Sequence, residues 1–440
     1  MERRIFLKSG ALALLTLGLS PSFLRRTALA MDLPRAARGK TLIVLFQRGA
    51  ADALNVLVPF GDPEYYAARP QLAIATPART NGPQGVIDLD GFFGLHPSLA
   101  SFKPLWDRGL LAPIHAVGSP SATRSHFDAQ DYMETGTPDR KGTPDGWLNR
   151  YLAVQGTCEA CAVQDTRRSG SANADATVNA GKTPFRAVAM TTQTPRILEG
   201  SSPVVAMNSI DEFSIRSAGG DAERRLEALY RTGSADLIHG SGSDMFEALK
   251  VLRAANPQQY RPAADARYPR SQLGQRLLQI AQLIKANVGL EVAFADVGGW
   301  DTHVNQGGAQ GQLANRLTDF ADSIGALVTD LGDRMEDVVI LTCSEFGRTV
   351  RQNGTGGTDH GHAGAMFVIG GALRTSRKVF GTWPGLAREQ LYEGRDLALT
   401  TDFRAVFSEV TARHLGADTL SQLFPGYTGS HSDWLGLLQA

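Results

Sequence analysis

Apolar runs and apolar stripes alternate along this chain. Thr41–Phe46 (TLIVLF) is continuous and β-branched, which predicts a central strand buried on both faces. Leu110–Val117, Val292–Val297, Val338–Cys343 and Ala365–Ile369 predict further strands, and Phe185–Met190 and Val204–Met207 shorter ones. Between them the period changes to that of a helix. Leu273, Leu277, Leu278, Ile280, Leu283, Ile284 and Val288 form one stripe. Leu313, Leu317, Phe320, Ile324, Leu327 and Leu331 form a second, with three-four spacing. Pro97–Asp107, closed by Gly109, Phe127–Glu134, Asp221–Thr232 and Ser243–Asn256 predict helices. A late helix carries Phe403, Val406, Phe407 and Val410 inward, with Thr401 or Asp402 as its cap and Gly416 past its end. This alternation predicts an α/β fold with a doubly wound, mostly parallel sheet.

Two stretches break the pattern. Residues 153–184 are poor in apolar side chains and rich in Gly, Ala, Ser and Thr, which predicts an inserted flexible loop. The region 185–270 is where a cap would sit. The first thirty residues have a different logic. Arg3-Arg4 followed by Phe6-Leu7-Lys8, an apolar run from Ala11 to Leu19 and Ala28-Leu29-Ala30 read as a twin-arginine signal with cleavage before Met31. The expected mature unit is residues 31–440, periplasmic or secreted, with the Tat export machinery as a partner. Such signals resemble those of proteins exported already folded, which suits one that takes up its cofactor first.

Charge adds an exclusion. The chain holds 44 Lys+Arg and 44 Asp+Glu, a balance that argues against nucleic-acid binding. No apolar stretch after the signal has the length of a membrane span. Three cysteines are present. Cys158 and Cys161 have redox or metal spacing but no second pair to complete a zinc site, so a local disulfide leads and a free pair follows. Cys343, at a strand end, reads as a buried thiol.

The chemistry gathers at strand ends, where ligands bind in open α/β sheets. Thr41–Phe46 exits into Arg48 and Asp52, the latter a ligand or a helix cap. Leu110–Val117 leads to Thr123, Arg124, Ser125 and His126 at the start of a helix. Ser125 reads as an N-cap or as a nucleophile whose alkoxide the helix N-terminus stabilises. Val292–Val297 runs through a glycine hinge to Asp301 and His303, and Val338–Cys343 runs to Glu345, followed by Asp359, His360 and His362. Oxygen and imidazole donors together suit Zn, Mn, Mg or Ca, one ion or two. His96 reads as structural, and His115, His239, His414 and His431 as unremarkable.

The phrases GGWDTHVNQGG, SEFGRT, GTDHGHAG and the entry strand with RGAAD resemble the bacterial exported family known as domain of unknown function fifteen-oh-one, over nearly the whole mature chain. That family is grouped with the alkaline phosphatase and sulfatase superfamily. The resemblance implies an alkaline-phosphatase-like sheet with Asp52 as the first-strand metal ligand and Ser125 as nucleophile. It also implies Asp301 and His303 as one ligand pair, Glu345 in place of a ligand Asp, and His360 as the last ligand. Gly136 stands eleven residues after Ser125, close to the Thr-Gly spacing of the superfamily. Phe346 replaces a ligand His, and Asp301 and His303 stand closer together than usual, so one ion, or a second site completed by His362, fits better than two full sites. The lack of a cysteine at the helix start argues against a formylglycine sulfatase.

The expected function is metal-dependent hydrolysis of a phosphate or sulfate ester, of a small molecule or a glycan. Arg48 or Arg124 would hold the anion and His126 would donate a proton. The alternative is a superfamily member with a degraded site that serves as a metal- or glycan-binding envelope protein.

Overall fold

The computed structural model describes residues 39–77, 84–156, 184–210, 260–374 and 378–439. The twin-arginine segment, Cys158, Cys161, His239 and the helices expected at 221–232 and 243–256 lie outside them.

The sheet has eight strands. In chain order, its members are β1 (Thr41–Gln47), β5 (Leu111–Gly118), β6 (Ala187–Ala189), β7 (Val205–Ala206), β8 (Val292–Val297), β9 (Val338–Cys343), β10 (Gly364–Gly370) and β11 (Thr401–Asp402). Their spatial order is β11-β5-β10-β9-β1-β8-β6-β7. All neighbouring pairs are parallel except those made by β10, which runs antiparallel to both β5 and β9. A separate small sheet pairs β2 (Leu57–Val58), β3 (Ile87–Asp88) and β4 (Gly94–Leu95).

β1 is apolar at every position from Leu42 to Phe46 because both of its faces are covered. Ile43 and Leu45 pack into one core with Ile340, Leu317, Phe320 and Ile324. Leu42, Val44 and Phe46 pack into the other with Leu341, Trp147, Phe403 and Phe407. Six helices matter for these layers: α1 (Lys103–Asp107), α2 (His126–Thr135), α3 (Trp147–Gly156), α4 (Gln272–Lys285), α5 (Gln312–Leu331) and α6 (Phe403–Leu415). α4 and α5 bury their stripes in the first core, α3 and α6 in the second. The sheet is therefore wound on both faces, and each large side chain buried in it contributes roughly 1.5–3 kcal/mol.

Three boundaries differ from the sequence reading. The segment expected as one helix over Pro97–Asp107 is a 3-10 turn over Pro97–Phe102 joined to α1. The expected insertion begins later, since Ala153–Gly156 is the last turn of α3. Residues 187–189 and 205–206, expected in a cap, are strands of the main sheet, because Ala187, Val188 and Ala189 add to the β8 edge. Among the described residues no helix is long and apolar enough to cross a membrane.

Candidate metal centre

β1, β5, β8 and β9 end at one edge of the sheet, and β10 begins there because it runs the other way. That edge receives the exits of β1, β5 and β8 and the single stretch 344–363 that leaves β9 and enters β10. After β8, Gly299 adopts φ +88° and the chain turns to Trp300, which is buried and anchors the turn by donating Nε1–H to Val297 O at 2.9 Å. Asp301 and His303 follow. The β1 exit can lie against this turn only because residue 49 is glycine: a Cβ there would meet Asp301 N at 2.7 Å.

His126 opens α2, His303 follows β8, and His360 precedes β10. Their imidazoles meet. His360 Nε2 lies 3.0 Å from His126 Nε2 and 3.0 Å from His303 Nε2. Asp301 Oδ1 is 3.0 Å from His303 Nε2 and 3.4 Å from His360 Nε2, and Oδ2 is 3.5 Å from His126 Nε2.

The opposite ring nitrogens decide what these atoms are. His126 Nδ1 faces Glu345 Oε1 at 2.8 Å, His303 Nδ1 faces Asp359 Oδ1 at 3.0 Å, and His360 Nδ1 faces Arg124 O at 2.9 Å. A carboxylate and a carbonyl only accept, so each Nδ1 carries the proton. In the neutral ring each Nε2 then presents a bare lone pair. Three lone pairs and a carboxylate point at one another. One proton bridges a single pair of these donors; a metal ion accepts several, and His126, Asp301 and His360 each offer a donor atom within 4.8 Å of the others, with His303 Nε2 beside the last two. Orienting each ring through its far nitrogen is the usual support of a metal-bound histidine.

The surrounding charges agree. Glu345 is fully buried, and burial alone would raise its pKa. The bonds from His126, Gln130 and Ala50 N–H outweigh that and hold it below the usual carboxylate range. Gly49 N–H and Ser344 Oγ also donate to it. Burial likewise opposes ionisation of Asp301, but Arg348 beside it wins, and Asp301 stays low. The His303 bond lowers Asp359. The Glu345 bond raises His126, whereas burial lowers His360. Arg348 is itself fully buried. It donates to the carbonyls of Gly49, Ala50, Trp300 and Thr358 as well as to Asp301, and so ties three loops together.

Other expected site residues stand elsewhere. Asp52 is buried with its Oδ2 2.6 Å from Arg69 Nη1 and 2.6 Å from Gln306 Nε2, so a guanidinium takes the place expected for an ion. Glu345 stands behind His126 and not among the convergent donors, because its oxygens are filled by N–H and O–H groups. His362 stacks on Tyr392 with ring centroids 4.2 Å apart. His126, expected as a proton donor, uses both nitrogens in the constellation. Arg48 is paired with Glu134 and Asp296, and Arg124 with Glu393 and Asp396. Ser125 is exposed at the start of α2, where its Oγ accepts from Asp128 N at 3.5 Å. Gly136 closes α2 at φ +68°, a position that favours glycine. His96 is structural, as read, with both nitrogens bonded to backbone.

Arg348, Gln130, Arg69 and Gln306 were not among the expected site residues. Arg348 lies inside the phrase SEFGRT, which was the available signal.

The family model described as "Protein of unknown function (DUF1501)" matches residues 39–423. The chain belongs to that family. The match spans β1 through α6, so every residue of the DUF1501 chain that lines this centre lies inside it. No curated protein matches the chain.

Proposed function

We propose that this chain is an exported, metal-dependent hydrolase of a phosphate or sulfate ester, built on an alkaline-phosphatase-like sheet. The observation that carries the reading is the convergence of His126, His303 and His360 Nε2 with the Asp301 carboxylate. Three nitrogens and one oxygen suit zinc or manganese better than magnesium or calcium, which prefer oxygen alone. Asp52 is neutralised by Arg69, which favours one ion over two.

A bound divalent ion supplies a Lewis acid that polarises an ester oxygen. The chain's residues do the rest. Ser125 Oγ, exposed at the N-terminus of α2 and next to the ligand His126, is the attacking group. It gives its proton to solvent and forms a bond to phosphorus or sulfur as the ester's alcohol leaves; water then cleaves the seryl ester to release phosphate or sulfate and restore the hydroxyl, and the helix N-terminus lowers the cost of the alkoxide. His126 and His360 have both ring nitrogens occupied, so the leaving alcohol takes its proton from solvent.

One observation favours a second reading, a metal- or glycan-binding envelope protein without turnover. Arg48, Arg124 and Arg348 each already face carboxylates, so an anionic ester meets compensated charge. A panel of phosphate monoesters, phosphate diesters and aryl sulfates, assayed with zinc, with manganese and with chelator, separates the two. Chelator-sensitive turnover lost in Ser125→Ala supports the hydrolase. Stoichiometric metal with no turnover on any ester supports the binder.

A further inference from the structure

Asp52 joins none of the convergent donors, yet it is wired to the loops that carry them. Gln306 Nε2 donates to Asp52 Oδ2, and Gln306 Oε1 accepts from Thr302 Oγ1 at 2.8 Å and Thr358 Oγ1 at 2.9 Å. Thr302 stands between Asp301 and His303, and Thr358 directly precedes Asp359 and His360. Asp52, Arg69, Gln306 and Thr358 are fully buried, and Thr302 nearly so.

We propose that Gln306 is a positioning residue for the metal centre, holding the Asp301–His303 loop and the Asp359–His360 loop in register from the Asp52–Arg69 pair. The bonding directions are fixed by chemistry. Asp52 only accepts, so the amide nitrogen must face it, and the amide oxygen then faces the two hydroxyls. One oxygen thus grips one hydroxyl from each loop. Arg69 neutralises Asp52 and is itself held by Asn55 Oδ1 and by Val350 O and Thr349 O, so the anchor end is fixed. The backbone adds to the register, with Thr358 N–H donating to Thr302 O at 3.2 Å and Gln306 N–H to Gly356 O at 2.9 Å. Bonds inside so dry a network are strong, and a site needs its donors held to within about 0.5 Å.

The inference rests on the metal-centre reading and not on ester turnover, which takes no part in its test. Gln306→Leu removes the amide at similar volume. The double variant Thr302→Val with Thr358→Val removes, at similar volume, the two hydroxyls that the amide oxygen grips and leaves Gln306 and the Asp52–Arg69 pair in place. Cobalt(II) and zinc affinities are measured by chelator competition, the cobalt absorption spectrum reports ligand geometry, and the melting temperature of metal-free protein reports folding. Gln306→Leu is expected to fold, to bind either ion about 10–100-fold more weakly and to show a changed cobalt spectrum. The double variant is expected to weaken binding and change the cobalt spectrum in the same sense. Affinity within about twofold of wild type, with an unchanged cobalt spectrum, overturns the proposal even if the melting temperature falls. Should wild type bind no ion, the metal reading fails separately. Imidazole ¹⁵N spectra of metal-free protein then decide this one: His303 and His360 signals broadened or shifted in Gln306→Leu support it, and unchanged signals overturn it.

Discussion

Glu345 accepts the Nδ1 proton of His126 at 2.8 Å while the Nε2 of the same ring lies 3.0 Å from that of His360. A buried carboxylate thus fixes one ligand from behind. Glu345→Gln keeps the volume and removes the charge. One of its new N–H groups must face a donor, Gly49 N–H, Ala50 N–H or Ser344 Oγ. Metal affinity is expected to drop about 10–100-fold and stability by about 1–3 kcal/mol. Chelator competition well below the melting temperature reads the first and urea unfolding the second.

Arg348 makes a different prediction. It is a buried cation whose nitrogens serve four carbonyls and one carboxylate. Arg348→Met leaves those carbonyls without their donor and Asp301 without its counter-charge. The expected loss is on the order of 3–5 kcal/mol, read by denaturant unfolding of the metal-free protein. Arg348→Lys is expected to recover only part of this, since an ammonium cannot reproduce the fork.

Legibility followed burial. Val292–Val297 and Val338–Cys343 match their apolar runs residue for residue, because strands covered on both faces stay apolar until just before their exits, where Asp296 and Thr342 stand. The two-residue strands of the small sheet carry no such run and were not expected. At the site, Asp301, His303 and His360 were readable because their residue types state their chemistry. Arg348 was not. Nothing local distinguishes a buried arginine from a surface one, and the Ala50 carbonyl it bonds lies 298 residues away. Asp52 was misplaced for the same reason: its neutralising Arg69 is a contact of the fold and not of the sequence pattern.

Stability is expected to depend on pH through two histidines remote from the centre. Burial pushes His115 and His414 down to about 4. His115 stacks on Phe93 and abuts Trp383. His414 donates to Thr41 O, with Lys40 and Asp337 the charged groups that act on it. In the unfolded chain both titrate near the ordinary value of about 6.5. Above that pH both states are neutral and the full stability is present. As pH falls from 6.5 to about 4, the unfolded chain binds protons that the native state refuses, and each histidine costs about 1.4 kcal/mol per pH unit. Below about 4 the native state also binds them and the loss levels off. Urea unfolding of chelated protein between pH 7 and pH 4 measures this. His414→Gln, which keeps a donor for Thr41 O, is expected to flatten the slope; an unchanged slope refutes the assignment.

Ser125→Ala separates chemistry from structure. As an N-cap, Ser125 makes one long contact, 3.5 Å to Asp128 N, so its loss is expected to cost no more than about 1 kcal/mol. The ligand geometry does not depend on it, because His126 is oriented by Glu345 and His360 by the Arg124 carbonyl. Metal affinity and the cobalt spectrum are therefore expected to stay at wild-type values. If Ser125 Oγ is the attacking atom, turnover falls by several orders of magnitude all the same, as it does when a nucleophile is removed from an intact site. Thr123 Oγ1 only accepts from Ser125 N–H at 3.2 Å, and Thr123→Ala is expected to retain most of the activity. The measurement is kcat for each variant at saturating metal. Full turnover in Ser125→Ala would assign the attack to solvent, and loss in Thr123→Ala alone would move the nucleophile two residues upstream.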